Sequence, residues 1–215
     1  HIYDWSQRRI NVFSTESFEL AYTTSLDFNN AQNSGLSGWM AISFHILDDG
    51  NYLVRFNKPF RPDNLDEDKT HRLYKVSSDG QLLSDIILEL PVGEVLIDMD
   101  IPMIMGVPYS RNAQISISGE TLYNLWTEDM AVRIYDVNGQ YQSSFYYPVN
   151  KSPLNRAELL EQHENEQMKQ MIRNAEIPET WPAVQDYIQD DESRFWISRI
   201  IDDRDSYEWW VIEPN

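Results

Sequence analysis

The sequence predicts an all-β fold, a β-propeller of four-stranded antiparallel blades with one inserted helix. Three observations support this fold class. The 215 residues are 13% aromatic, a composition that suits pleated strands. A strand–turn–strand pattern recurs along the chain, and a second such pattern precedes it. Four antiparallel strands that repeat several times in a fixed order are typical of propeller blades.

The first pattern is clearest in AVRIYDVNGQY, residues 131–141. RLYKVSSDGQL repeats it when Gly80 is aligned with Gly139. RINVFSTESFEL, with Ser17 in the glycine column, and EWWVIEPN are looser copies. Alternating apolar residues predict a strand with one buried face. Asp-Gly and Asn-Gly favour a two-residue hairpin turn with positive φ. The pattern therefore predicts the third strand of a blade and its turn into the fourth.

The second pattern predicts the first and second strands of a blade. HILDDGNYLVRF turns at Asp49-Gly50, and ISISGETLYNLW turns at Gly119. DYIQDDESRFWISRI turns around Asp191 and Glu192, with Glu192 in place of the turn glycine, and the opening HIYDW matches the second strand of another copy. Both patterns recur in the same order, which favours a propeller over the alternative, a plain β-sandwich with accidental internal similarity.

Together the two patterns predict about three and a half blades. Closed propellers have about four to eight, and both ends of this chain fall inside a blade. We therefore expect the chain to belong to a longer protein, or its last blade to be closed by strands outside it. A self-contained four-blade ring would require the first 26 residues to serve two blades. The predicted blades are 1–26 (partial), 40–90, 103–149 and 183–215 (partial).

A helical segment interrupts the strand pattern between the last two blades. This insertion comprises residues 152–178. Ser152 can cap a helix, and Pro153 suits the first helical position. Apolar residues at helical spacing follow, with a polar stretch in the middle. The spacing predicts one helix of about 20 residues near 153–176, packed on the propeller rim.

The residues resemble a known family. RIYDVNGQY, LDDGNYLV and VQDYIQDDESRFWI…YEWWVIEPN are similar to the six-bladed β-propellers of the NHL-like kind, in particular a group common in Bacteroidota. The resemblance covers nearly the whole chain except the loops and residues 150–180. It implies a secreted, periplasmic or envelope-associated protein, often attached through a lipoprotein signal, with a binding role. A fold shared by many functions licenses no particular reaction.

Candidate site residues lie on the long connections. Tight turns map to one end of each blade and long loops to the other, and function tends to lie on variable loops held by a rigid scaffold. Aromatic and basic residues near these loops could line a binding groove: Trp39, Arg61, Trp126 and Trp181. Carboxylates from three blades could hold Ca²⁺ or Mg²⁺, with a solvated acidic rim as the alternative: Asp63, Asp66, Asp68, Glu128, Asp129, Asp202 and Asp203.

Composition narrows the function classes. The formal net charge is −18, which disfavours nucleic acid as a partner. The chain has no cysteine and no apolar run long enough to span a membrane. No local catalytic motif is present. We expect a non-enzymatic binding or scaffold propeller with a protein or glycan partner and no obligatory cofactor. The alternative is a Ca²⁺- or Mg²⁺-dependent hydrolase of the lactonase type, whose ligands would come from separate blades.

Overall fold

The computed structural model of the chain describes residues 1–28, 35–60, 70–98, 103–203, 206 and 208–213. Antiparallel strands dominate these ranges, with two short helices. The predicted all-β class is therefore confirmed. The chain divides into two compact units. The first comprises His1–Pro91, Gly119–Thr121 and Asp136–Gln140; the second comprises Val92–Ser118, Leu122–Tyr135 and Tyr141–Asn215.

Two antiparallel sheets form the first unit. Its strands in the described ranges are β1 (Ile2–Asp4), β2 (Arg9–Phe13), β3 (Leu20–Ser25), β4 (Met40–Ile46), β5 (Tyr52–Asn57), β6 (Thr70–Val76) and β7 (Leu88–Pro91). The first three strands make one sheet and the next four another, each strand bonded to the next in chain order. Side chains from both sheets form one buried cluster, which includes Ile10, Val12, Tyr52, Val54, Phe56, Tyr74 and Val76.

The second unit combines sheets with a helical segment. Its elements in the described ranges are β8 (Val95–Asp98), β9 (Met103–Gly106), β10 (Ala113–Ser118), β11 (Thr121–Trp126), β12 (Ala131–Asp136), β13 (Tyr141–Tyr146), α1 (Arg156–Glu161), α2 (Glu166–Asn174), β14 (Val184–Gln189), β15 (Phe195–Arg199) and β16 (Glu208–Ile212). β8 and β9 pair alone, β10 to β13 form a four-stranded sheet, and β14 to β16 form a three-stranded sheet.

Apolar side chains of the two larger sheets in the second unit share one core. Val132 on β12 and Phe195 and Ile197 on β15 belong to the same buried cluster. The polar contacts agree, since Gln114 on β10 donates to the backbone oxygen of Gln185 on β14 at 3.2 Å. Successive side chains of β15 point to opposite faces of the sheet, so Phe195 and Ile197 point to the core and Trp196 points away.

Four turns share one geometry, which differs from the predicted two-residue turn. In each, the first backbone N–H donates to the fifth carbonyl and the fourth N–H donates to the first carbonyl. The fourth residue has the positive φ, for example 84° at Gly139. This is a type I turn followed by a left-handed residue that makes a bulge. The four segments are 47–51, 77–81, 136–140 and 190–194. The predicted two-residue turn was wrong for the three that contain Asp-Gly or Asn-Gly.

This geometry also corrects the two positions where glycine is missing. In the last of these turns Ser193, and not Glu192, has the positive φ, at 61°. Between β2 and β3 the positive φ belongs to Phe18, at 58°, and not to Ser17. The reason is one extra residue, because Ser14 donates to the carbonyl of Glu19 and closes a longer turn. The alignment on glycine therefore missed both positions by one residue.

The predicted single helix is two short helices, α1 and α2. Asn165 interrupts the segment, because its side chain accepts hydrogen bonds from the backbone N–H of Gln167 at 2.8 Å and of Met168 at 3.1 Å. An Asn side chain that bonds the backbone in this way starts a helix and does not continue one. Asn155, and not Ser152, caps α1, and Pro153 forms a β-bridge with Thr180.

The blade predicted at 103–149 also begins later than expected. β9 pairs with β8 in a separate hairpin, and the four-stranded sheet starts at Ala113. Met105, Val107 and Tyr109 pack with Leu159 and Ile172 of the two helices. In the part of the chain that the structure describes, no helix is long and apolar enough to cross a membrane.

Candidate functional site

Predicted site residues meet at one end of the second unit. The turn after β11 lies there, together with the segments that precede β10 and β14. We call residues 107–112, 127–130, 147–152 and 180–183 the loop end. Thr127 connects these segments, since its N–H donates to the Asn112 carbonyl and its own carbonyl accepts from the Val184 N–H, each at 3.1 Å. Its hydroxyl accepts from the Asn112 N–H at 2.8 Å. The turn that holds Glu128 and Asp129 is thus fixed to both neighbouring connections.

Arg111 forms the centre of the loop end. It is only 8% exposed, so its charge has to be satisfied within the protein. Its Nη1 donates to the Tyr109 carbonyl at 3.0 Å and its Nη2 to the Thr180 carbonyl at 2.9 Å. Its Nε donates to Glu128 Oε2 at 2.5 Å. The guanidinium therefore joins three segments of chain through its fixed fork of donors.

A second cation completes the neutralisation of the two predicted metal ligands. Lys151 Nζ contacts Glu128 Oε1 and lies 3.2 Å from Asp129 Oδ1. Burial would raise the pKa of Glu128, but hydrogen bonds from Lys151 and Arg111 outweigh it and lower the pKa below its usual value. Burial would lower the pKa of Lys151, and hydrogen bonds to Glu128 and Asp129 outweigh it and raise that pKa. Both groups therefore stay charged at neutral pH.

This arrangement bears on the predicted metal site. A Ca²⁺ or Mg²⁺ ion needs several oxygen ligands that converge on it. Both oxygens of Glu128 accept from Arg111 or Lys151, and one oxygen of Asp129 faces Lys151. Within the described ranges no three His, Asp or Glu side chains form a group that could hold a metal ion. The chemistry shown by Glu128 is therefore that of an ion pair.

Two further predicted metal ligands, Asp202 and Asp203, do not belong to the segments of the loop end. Asp202 and Asp203 are exposed in the segment after β15, and Asp203 Oδ2 accepts a hydrogen bond from the Ser206 hydroxyl at 2.5 Å. The other predicted residues of the acidic loop, Arg61, Asp63, Asp66 and Asp68, lie outside the described residues.

Tryptophans predicted to line a groove lie in different surroundings. Trp181 is 5% exposed and packs in the cluster that includes Leu159 and Met168 of the helices, so it offers little surface to a ligand. Trp126 is half-buried at the end of β11. Trp39 belongs to the first unit, where the Arg72 guanidinium lies 4.3 Å from its ring centre. These three residues are therefore divided between the two units.

Sequence reasoning missed the two cations that organise the loop end. Arg111 and Lys151 lie in connections between strands and belong to no repeated column. Glu128 was found because it follows a strand of the repeat. The one available signal was a surplus of acidic residues, which makes each basic residue near a repeated turn position a candidate ion-pair partner. That signal does not indicate which basic residues are the partners, because Arg111 and Lys151 are 40 residues apart in the sequence.

The comparisons with known proteins add no family. No family model matches the chain, and no curated protein matches it. The similarity to NHL-like propellers therefore stays a prediction from the residues.

Proposed function

We propose that the chain is a non-enzymatic binding or scaffold module that engages a protein or glycan partner through the loop end. The observation behind this proposal is the set of hydrogen bonds and ion pairs that holds the segments of that end together. Arg111 links three segments, and Lys151 adds a fourth. Glu94 accepts from the Arg111 N–H and Asp129 faces Lys151, yet both remain half-exposed at its edge, with side-chain exposures of 50% and 52%. A preorganised surface with accessible carboxylates suits recognition of a partner, because little ordering is needed on binding.

We also propose that the sheets are blades of a propeller. Two four-stranded sheets with the same antiparallel strand order support this, as do the four equivalent turns. Within each unit, neighbouring sheets share one apolar core, as successive blades do. An envelope or secreted setting follows from the resemblance to bacterial NHL-like propellers alone and belongs to the same proposal.

Charge reversal at the loop end tests the binding role. The intact chain is applied to glycan and peptide arrays beside the variants Glu94→Lys and Asp129→Lys. The matched control is Glu16→Lys, which changes an exposed carboxylate in the turn between β2 and β3. We expect ligands whose signal is lost in the two loop-end variants and kept in the control. Ligands lost equally in all three variants would show only the effect of net charge and would overturn the proposal.

Metal titration tests the alternative hydrolase. Calorimetry with CaCl₂ and MgCl₂ should show no stoichiometric binding that depends on Glu128, because this carboxylate already accepts from two cations. Aryl esters and lactones should not be turned over in the presence of either metal. Calcium-dependent turnover that disappears in Glu128→Gln would contradict the binding role at the loop end and restore the hydrolase.

A further inference from the structure

The outer face of the β14–β16 sheet carries an exposed apolar row. Register places Ile188, Trp196 and Val211 opposite one another on the three strands. They are 53%, 38% and 48% exposed, whereas the other face of the sheet is in the buried core. Scattered apolar residues on a surface are ordinary, but a contiguous row of large side chains marks an interaction surface.

A second row on the same face pairs an aromatic ring with a carboxylate. Asp186 lies opposite Ser198, and Ser198 lies opposite Trp209. Two strand spacings put the Cα atoms of Asp186 and Trp209 about 10 Å apart. Trp209 is 44% exposed. Asp186 Oδ1 accepts from the Tyr187 N–H at 2.8 Å, and within the described ranges Asp186 makes no ion pair. The row therefore offers an exposed ring and an exposed carboxylate without a cation, on either side of the buried Ser198.

In the first unit, an arginine of the chain itself lies between an aromatic ring and a carboxylate. Arg72 lies 4.3 Å from the ring centre of Trp39, and its Nε donates to Glu89 Oε1 at 2.8 Å. The flat guanidinium can stack on an aromatic ring while its edge bonds a carboxylate.

A second example lies on the β14–β16 sheet itself. Arg199 lies 4.6 Å from the ring centre of Trp210, and its Nη1 lies 3.3 Å from Glu208 Oε1. Trp210 neighbours Trp209 in the chain and points to the opposite face of the sheet. Each face of β16 thus has a tryptophan near a carboxylate. Arg199 stacks on Trp210, whereas Arg194, on the face of Trp209, pairs with Asp190 and Glu192.

We propose that Asp186 and Trp209 bind an arginine side chain of a partner polypeptide, whose apolar residues lie on Ile188, Trp196 and Val211. Charge complementarity selects this occupant. Asp190 and Glu192 both make ion pairs with Arg194 at the other end of the face, so together with Asp186 the carboxylates there outnumber the cation. A second copy of a chain with net charge −18 would be repelled, whereas a basic segment would be attracted.

This surface is a sheet face and does not include the loop end, so the two proposals fail independently. The probe is a fluorescein-labelled peptide, GVSRSVG, whose valine and arginine side chains share one face when it is extended, with two matched peptides in which the arginine is lysine or citrulline. Fluorescence anisotropy with the intact chain measures binding at two salt concentrations. Citrulline keeps the shape of arginine and removes its charge, and lysine keeps the charge and removes the planar fork.

We expect the arginine peptide to bind most tightly. Asp186→Asn and Trp209→Ala should each weaken its binding by about tenfold, the scale of one lost cation–π or charge-assisted contact. The controls Glu16→Gln and Trp5→Ala, which change an exposed carboxylate and an exposed tryptophan in the first unit, should bind as the parent does. Far-UV circular dichroism verifies that each variant is folded, and Asp186→Asn tests the site without removing a packed ring.

Three results would overturn the inference. One is equal affinity for the arginine, lysine and citrulline peptides. Another is equal weakening in the control variants, which would reduce the effect to the acidity of the whole chain. The third is self-association in sedimentation velocity that Trp209→Ala abolishes, because the face would then belong to a second copy of the chain.

Discussion

Two turn glycines with nearly the same backbone conformation have different surroundings. Gly50 and Gly139 have φ values of 78° and 84°. A Cβ at Gly50 would meet nothing within 4 Å, whereas a Cβ at Gly139 would overlap the Ile87 carbonyl. Gly50→Ala should cost about 1–2 kcal/mol of unfolding free energy from left-handed strain alone. Gly139→Ala should cost about 1–3 kcal/mol more, because the backbone must shift. Urea unfolding measures both, and equal losses would contradict the close approach.

A histidine on β6 predicts how stability depends on pH. Burial, assisted by repulsion from Arg55, lowers the pKa of His71 to about 4. The folded state therefore binds fewer protons than the unfolded state between pH values of about 6.5 and 4, and stability falls as pH falls through that window. Partial exposure limits the loss to about 2 kcal/mol.

The variant His71→Gln isolates this contribution. Chemical unfolding at a series of pH values above 4.5 should show a shallower loss of stability in the variant than in the parent chain, with His163→Gln as the control. Asp49 and Asp190, whose pKa values are lowered to about 2 by hydrogen bonds from Lys75 and Trp196 respectively, lose their contribution only at lower pH. Parallel curves for the parent and His71→Gln would contradict the assignment.

The break between α1 and α2 depends on one cap. Asn165 satisfies two backbone N–H groups at the start of α2. Asn165→Ala should cost about 1 kcal/mol, with hydrogen exchange increased in α2 and unchanged in β14. Asn165→Asp keeps an acceptor oxygen and places negative charge at the helix N-terminus, so it should restore the stability. If the alanine variant instead lengthened α1 into α2, helical content would rise, and the cap would not be what separates them.

Strands were predictable from the sequence, and their connections were less so. Alternation in β2 and the turn residues around Gly50 and Gly139 locate strands because both signals are local. The bulged turn geometry was missed, since Asp-Gly occurs in both turn types. Asn165 could have signalled a cap, but apolar residues on both sides kept helical spacing and masked it. Arg111 and Lys151 could not be placed, because an ion pair across connections leaves no periodic pattern.

At the scale of the whole molecule, net charge governs the response to salt. The chain has 35 acidic and 17 basic residues, so repulsion among carboxylates opposes folding. Raising NaCl from 0.01 M to 0.1 M shortens the screening length from about 30 Å to about 10 Å. Exposed ion pairs such as Lys75–Asp49 weaken as well, but each contributes about 0–1 kcal/mol. We therefore expect the melting temperature to rise with NaCl.

Calcium separates this general screening from a specific site. If Glu128 and Asp129 are committed to Arg111 and Lys151, CaCl₂ should raise the melting temperature only as much as NaCl of equal ionic strength. Differential scanning calorimetry of the intact chain makes the comparison, with MgCl₂ as a second divalent salt. A specific ion adds a stabilisation that grows with ln[Ca²⁺] beyond the saturation of screening. An additional rise of that form that Glu128→Gln removes would place a divalent cation at the loop end and contradict its ion pairs.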